Sequence, residues 1–457
     1  MDINKIQTDS RKVKNGDIFI ALKGISSDGH EYINSAIEKG ASKVIASVKG
    51  NYSNNSIIEY VDDTQEYLYN LLERENLPKI NDLTIIGLTG TNGKTTTCYL
   101  IYQMLKSLDV KAAYLGTIGL YYLDNFKEMS HTTPEVLELY KLLIELVNNG
   151  ITHLVMEVSS HALEQDRIHG LKFSVAGFTN MTQDHLDYHK TMDNYLNAKL
   201  KIFNYFKTNT KIVVNKDDEY AKHFMKDNYI TLGKSNCDLT IIKSETLGDK
   251  TNISFTYDNK EYEVITNLMS SFNVYNYLTA LGIMISLNYK IDDILNITDK
   301  LYPPKGRVET IKLSLGTAVI DYAHTPDAVE KIISSFKESN YGKIYTVVGC
   351  GGDRDPAKRP IMGKIATSLS DYVIFTNDNP RTEAPESIIA DIICGLETTN
   401  YEVEMDRKKA IILGINLLKE DDVLLILGKG HEEYQEINHV KHHFSDKEVV
   451  LEYERDR

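Results

Sequence analysis

The chain has 457 residues, 42% of them hydrophobic and 25% charged, with a formal net charge of −14. That length exceeds one ordinary core and predicts two or three domains; the acidic balance excludes a nucleic-acid backbone as main partner, and no stretch reaches the roughly 18 apolar residues of a membrane span. The four cysteines, Cys98, Cys237, Cys350 and Cys394, form no C-x-x-C pair, and the N-terminus has no apolar signal core, so neither a disulfide framework nor a zinc cluster is expected, and the expected location is cytoplasmic.

Residues 1–82 mix short strand-like runs (Asp17 to Leu22, Lys43 to Ser47) with one helical pattern around Ile33 to Lys39. Lys49 to Ser56 reads as a loop, and Glu73 to Asp82, which contains Pro78, as a linker. From Leu83 the pattern turns to strand, loop and helix. Leu83 to Thr89 is an apolar run, and a helix is expected from about Thr95 to Leu108. Pro134 to Asn149 carries apolar residues at Val136, Leu139, Tyr140, Leu143 and Val147, a helical stripe with Pro134 in its first turn and Gly150 as its cap. Ile151 to Val158 and Phe173 to Thr179 follow as buried strands, which argues for a parallel sheet covered by helices. Beyond Tyr302-Pro303-Pro304-Lys305-Gly306, strands at Lys343 to Gly349, Asp371 to Thr376 and Val423 to Leu427 alternate with helical patterns and form a second α/β unit.

Gly90-Thr91-Asn92-Gly93-Lys94-Thr95-Thr96 leaves a strand and opens a helix, the setting in which backbone N–H groups hold phosphates. Lys94 would reach the β/γ-phosphates and Thr95 would ligate Mg²⁺. The spacing departs from the standard pattern, because Leu88 stands where a further glycine belongs. Glu157, at the C-terminal end of a buried strand, is a candidate Mg²⁺ ligand or simply a strand-end acid. His185 and His189 are four apart, but with no third ligand in view a Mg²⁺ or phosphate contact from His185 fits better than zinc. By periodicity Lys199 reads as a snorkelling lysine beside an apolar face. Three polar loops then leave three strand ends: Gly349 to Asp355, Asp378 to Arg381 and Gly428 to Glu432. Singly each is a surface loop. Together Arg354 and Arg381, suited to a carboxylate, and Glu432, suited to an ammonium, describe a pocket for an amino-acid-like ligand.

The motifs TDSR, TGTNGKTTT, HTTPE, MEVSSHAL, NMTQDHLDYH, NAK, GRVE, DYAHTP, GCGGDRD, DNPRTE and GKGHE stand in this order along the chain, which thereby resembles the Mur ligase family over essentially its whole length. The resemblance implies three α/β domains: a UDP-sugar-binding domain (1–82), a central parallel-sheet ATPase domain of P-loop type (83–305) and a Rossmann-like amino-acid-binding domain (306–457). It implies an ATP- and Mg²⁺-dependent amide ligase that adds a diamino acid, meso-diaminopimelate or alternatively L-lysine, to UDP-N-acetylmuramoyl-dipeptide. Ser10, Ile25, Ser26 and Ser27 would meet the uridine end, and Thr132, Thr133, Ser159, Gln165 and Arg167 the muramoyl-dipeptide. Asn273, Arg307, Asp321 and His324 match positions near the nucleotide. Asp378, Asn379, Pro380, Arg381, Gly428, Glu432 and Arg354 match the diamine pocket. Lys94, Glu157, His185 and Lys199 match the catalytic set, with Lys199 matching a lysine that is carbamylated in the family and so joins Thr95, Glu157 and His185 as a metal ligand. The family carries Gly where Ser271 stands before Phe272-Asn273-Val274, which alters the turn near the adenine. A monomer acting on small molecules is expected. A P-loop ATPase or kinase would leave DNPR, GKGHE and TDSR idle, and a dead nucleotide-binding partner would not keep Lys94, Glu157, His185 and Lys199. A relative acting on another acid would share the same ATP motifs.

Overall fold

The computed structural model describes residues 2–24, 27–247, 250–339 and 341–456. Among the described residues three large sheets follow one another along the chain, joined by helical segments, and a two-stranded hairpin, Tyr434–Ile437 with Val440–His443, follows the third. The first is a four-stranded parallel sheet of Ile6–Gln7, Ile18–Ile20, Lys43–Ala46 and Ile58–Tyr60. The segment expected to be a linker is helical instead. Thr64–Glu75 and Leu77–Ile80 are consecutive helices, because Leu68, Leu71, Leu72 and Ile80 each bury their side chains, and Pro78 sits where a helix start tolerates it.

Among the described residues the second sheet has eleven strands. Its middle is parallel: Leu239–Leu247, Tyr229–Gly233, Phe206–Asn215, Phe173–Phe178, Thr84–Thr89, His153–Glu157 and Ala112–Gly116, in that order across the sheet. Both flanks turn antiparallel, through Gly119–Tyr122 and Asn125–Lys127 on one side and Lys250–Tyr257 and Lys260–Thr266 on the other. The strands buried on both faces are the apolar runs visible in the sequence; the half-exposed hairpins are not. The helix Val136–Asn148 starts later than its pattern suggests. Pro134 lies before it and Glu135 is its extended N-cap, since the Thr133 hydroxyl donates to the Glu157 carbonyl at 2.9 Å and holds this segment on the sheet edge.

The third sheet runs Glu309–Lys312, Thr317–Asp321, Val423–Leu427, Ile344–Val348, Tyr372–Phe375 and Tyr401–Val403, parallel after its first strand. All its parallel strands therefore end on one edge, and that edge faces the phosphate-loop side of the second sheet, as the contacts below demonstrate. The Arg407–Asp446 pair, fully buried, ties the helix Arg407–Leu417 to the C-terminal helix and to the Leu427 carbonyl. No described helix is long and apolar enough to cross a membrane.

Candidate active site

Gly90 to Gly93 cross from the strand Thr84–Thr89 to the helix Lys94–Ser107 in a conformation that demands glycine twice. Gly93 has φ +85°, and a Cβ there would meet Asn276 Oδ1 at 2.4 Å; at Gly90 it would meet Thr179 Oγ1 at 2.0 Å. The loop is held from the sheet side, since Asn180 Oδ1 accepts from Asn92 N at 2.9 Å while Thr179 Oγ1 and Asn180 Nδ2 donate to Asn92 O. The glycine missing at Leu88 thus costs the loop nothing: Leu88 is a fully buried strand residue, upstream of the turn.

Two lysines meet on one carbonyl. Lys94 Nζ donates to Gly90 O and Thr91 O, both at 2.9 Å, and Lys199 Nζ donates to the same Gly90 O at 2.8 Å. Lys199 does not snorkel. It is 1% exposed, with its Nζ 4.3 Å from the centre of the Tyr195 ring, because its helix packs that face against the loop rather than presenting it to water. Burial, reinforced by the Lys94 charge, pushes the Lys199 ammonium well below the usual lysine value. Burial lowers Lys94 as well, with Glu157 opposing.

Glu157 ends its strand fully buried. Its Oε1 accepts from Tyr114 Oη (2.5 Å) and Thr117 N (2.9 Å), and its Oε2 from Thr95 Oγ1 (3.1 Å) and Thr117 Oγ1 (3.2 Å). Among the described residues no group of three or more His, Cys, Asp and Glu side chains is arranged for a metal. The Thr95 and Glu157 oxygens are nevertheless the hard donors that Mg²⁺ takes. His185 sits in a left-handed conformation (φ 54°) opening a short helix, and burial lowers its imidazole to about 4 against the opposing Asp184 charge. The lowered basicity favours the neutral imidazole, which does not repel a cation. His189, four residues on, bonds Ser160 Oγ at 3.0 Å instead of sharing a site with it.

Two cavities adjoin this core. One, of about 480 Å³, is lined by Asn92, Gly93, Thr96, Asn276, Arg307, Asp321 and His324 among others. The other, of about 620 Å³, is lined by Asp184, His185, Asp327, Arg354, Asp378, Asn379, Arg381, Gly428 and Glu432. Tyr322 and His324 line both, so the cavities meet there. Arg307 reaches from the third-sheet unit to Thr95 Oγ1 (Nη2, 3.4 Å) and stacks over Tyr322 at 4.7 Å, while its buried Nε has no partner among the described residues. An unpaired guanidinium N–H beside a glycine cradle fits an anionic phosphate chain. Asp321 is spent differently from a ligand contact: its two oxygens accept from Val308 N and Ala323 N at 2.8 Å, which shapes the turns carrying Arg307 and His324. Asn273 is fully occupied in its own helix turn, bonding Met269 O and Asn276 Nδ2, and it is Asn276 that lines the cavity.

The glycine-like turn lies one residue before the position expected. Ser271 is the first helical residue, whereas Ser270 has φ +82° and ψ 139°, a region almost confined to glycine. Its hydroxyl accepts from Ser335 Oγ, of the third-sheet unit, at 3.0 Å. Ser270→Gly is expected to be about 1 kcal/mol more stable than Ser270→Ala, since both lose the hydroxyl bond and only alanine keeps the strain. Thermal unfolding of the two variants checks this, and equal midpoints would refute it.

Thr132, Thr133, Ser159, Gln165 and Arg167 come together at the C-terminal end of His153–Glu157. Arg167 donates to Gln165 Oε1 and to Thr133 O, Ser159 N donates to Thr133 Oγ1, and Thr132 Oγ1 meets Thr117 Oγ1. Ser10 lies elsewhere, on the first-sheet unit with its carbonyl on Lys39, and lines neither cavity. Ser27 is exposed, while Ile25 and Ser26 lie outside the described residues. In the diamine cluster, Arg381 donates Nη1 to Gly352 O at 2.7 Å and sets Nε 3.4 Å from Glu436 Oε2. Arg354 is exposed, and Pro380 packs its carbonyl where a Cβ on Gly352 would be. The Gly428 backbone passes close to Asp378 Oδ2. Asp327 escaped the sequence reading. It follows DYAHTP directly, and its Oδ2 accepts from Asn92 Nδ2 at 2.8 Å and Thr182 Oγ1 at 3.2 Å, so it joins the third-sheet unit to the phosphate loop. Nothing in its local sequence separates it from an ordinary acidic residue in a first helical turn.

Comparison with known proteins agrees along the whole chain. Residues 2–77 match the Mur ligase family catalytic domain, 88–284 the Mur ligase middle domain and 306–430 the Mur ligase glutamate ligase domain. A UDP-N-acetylmuramoyl-L-alanyl-D-glutamate–2,6-diaminopimelate ligase of Fusobacterium nucleatum is 42% identical over 97% of this chain and 92% of its own length. The protein of the same description from Clostridium botulinum is 40% identical over 99% and 95%. A solved structure so titled superposes with a TM-score of 0.69 at 32% identity, covering 99% of this chain and 94% of that one. The MurF ligase of Thermotoga maritima in complex with ADP shares the fold, with a TM-score of 0.70 at 20% identity over 100% and 99%.

Proposed function

The chain belongs to the Mur ligase family of ATP-dependent ligases, and on that premise we propose that it joins meso-2,6-diaminopimelate to the D-glutamate γ-carboxylate of UDP-N-acetylmuramoyl-L-alanyl-D-glutamate. The observation that carries the reading is the cavity in which Arg381 and Glu432, partners for a distal carboxylate and ammonium, open toward His185 and the phosphate-loop side. The proposed units divide at 82/83 and 305/306.

In the proposed reaction a γ-carboxylate oxygen attacks the γ-phosphorus of ATP, ADP leaves, and an acyl phosphate forms. The diamine nitrogen then attacks the acyl carbon, phosphate departs and the nitrogen loses a proton. Lys94 and Arg307 supply cationic donors to the transferring phosphoryl group, and the loop amides orient it. Thr95, Glu157, His185 and a carbamylated Lys199 would hold Mg²⁺, which when bound offsets phosphate charge. The depressed basicity of Lys199 supports carbamylation. Only a neutral amine adds to CO₂, forming an N–C bond and releasing a proton, and the product is an anion where an ammonium would repel the metal. Thr132, Thr133, Ser159, Gln165 and Arg167 would hold the dipeptide beside Glu157.

Purified protein with ATP, Mg²⁺ and the UDP-dipeptide is expected to release phosphate and yield the tripeptide product when given meso-diaminopimelate, and to prefer that diamine to L-lysine. No product by mass with either diamine would sink the reading; lysine preference would overturn the role given to Arg381. The Asp327 contact yields a smaller expectation. Asp327→Ala is expected to lower kcat/KM for ATP roughly tenfold, by freeing the third-sheet unit from Asn92. A steady-state ATP titration unchanged from wild type would show that the contact plays no part.

A further inference from the structure

Lys429 is a lysine that the proposed chemistry leaves unused; it is fully buried, between Gly428 and Glu432, which both line the amine cavity. Its Nζ donates to Asn379 Oδ1 at 3.0 Å and to Glu432 Oε2 at 3.1 Å. Asn379 Nδ2 closes the ring by donating to the same Glu432 Oε2 at 2.8 Å, and Asn379 Oδ1 also accepts from Glu436 N at 2.9 Å. Asn379 has therefore committed both ends of its amide. Both bonds to the Glu432 carboxylate fall on Oε2, and Oε1 takes none among the described residues, although Glu432 lines the cavity.

This arrangement decides which ligand Glu432 can read. Burial, aided by the Asp378 charge, holds the Glu432 carboxyl above the usual glutamate value, and the Lys429 ammonium and the Asn379 amide work against that rise, toward the ionised form. A protonated carboxyl accepts an amide or hydroxyl as readily as an ammonium, whereas an ionised one held by a single oxygen selects a cation at the other. Asn379 alone could hold Oε2, but it supplies no charge.

We propose that Lys429 is a positioning residue for amine selectivity: it holds Glu432 by Oε2 so that Oε1 meets the distal ammonium of the incoming diamino acid. The inference rests on the diamine reading above. A lysine serving only to fill and neutralise the wall would affect folding, and would move all kinetic constants together.

The test uses the full-length protein and two amine substrates, meso-diaminopimelate and 2-aminopimelate, which lacks the distal amine. Wild type is expected to favour the diamine strongly. In Lys429→Met the diamine KM is expected to rise roughly tenfold or more, with the ATP KM unmoved and the diamine/monoamine ratio of kcat/KM collapsing. Lys429→Met/Glu432→Gln, which removes both charges and leaves no lone buried carboxylate, guards against misfolding. It is expected to discriminate no worse than Glu432→Gln alone, because Lys429 acts through Glu432. A folded Lys429→Met that discriminates as wild type does would overturn the proposal, as would a double variant markedly worse than Glu432→Gln. If wild type itself ignores the distal amine, the diamine reading fails first, and that outcome is distinct from the others.

Discussion

Lys199→Ala is expected to lower kcat by about 10³-fold, the scale seen when one preorganised charge at a reacting centre is removed. The sign of the effect separates two states of this residue. Lys94 and Lys199 share the Gly90 carbonyl, and the Lys199 charge works against that of Lys94. Were Lys199 an ammonium during turnover, deleting it would relieve that repulsion and leave phosphate binding intact or improved. Were it a carbamate, deletion would remove an anion from the metal site beside Glu157. Loss of activity with a melting temperature near wild type, partly restored by added acetate or formate, is the expected outcome. Full activity without rescue would refute the metal-ligand role. Folding is expected to tolerate the change, because Lys94 still holds the Gly90 carbonyl.

Arg381→Ala is expected to lower kcat/KM for meso-diaminopimelate by about 10²–10³-fold, the range for losing one half of a desolvated charge pair. The KM for ATP should stay put, and the preference over L-lysine should vanish, since lysine lacks the carboxylate in question. The guanidinium is already anchored: Gly352 O and Glu436 Oε2 take Nη1 and Nε, and no described residue takes Nη2. Pre-anchoring reduces the ordering cost on binding, so truncation removes most of what the side chain contributes. Arg381→Lys is expected to rescue poorly, because a lysine cannot reproduce the fork. A selectivity ratio unchanged in either variant would show that the distal carboxylate is read elsewhere.

The parallel strands were legible as apolar runs, and so was the meeting of three polar loops on one edge, because parallel strands must end on the same side. The edge hairpins were not, since half-exposed antiparallel strands such as Asn125–Lys127 carry no apolar signature. Lys199 misled periodicity, which reports how often a face is apolar and not whether a lysine on it finds a buried acceptor. Asp327 and Lys429 were invisible for another reason: each matters through a partner far along the chain, Asn92 for one and Asn379 for the other. The glycine-like turn was read one residue late, because a motif names the residue types in a turn and the backbone decides which of them takes the positive φ.

The contact between Arg307 and Thr95 spans 212 residues of chain. During synthesis the phosphate loop is therefore complete long before the residues that close the cavity over it have been made. On the proposed reading, ATP has no finished site to bind until Asp321 and His324, which line the cavity beside the loop, have emerged, so ligand binding would not stabilise the nascent chain through that interval. The second-sheet unit must hold its shape on its own apolar core, with Ile86, Leu88, Leu100 and Ile101 on one side and Leu139, Leu143, Leu154 and Phe178 on the other.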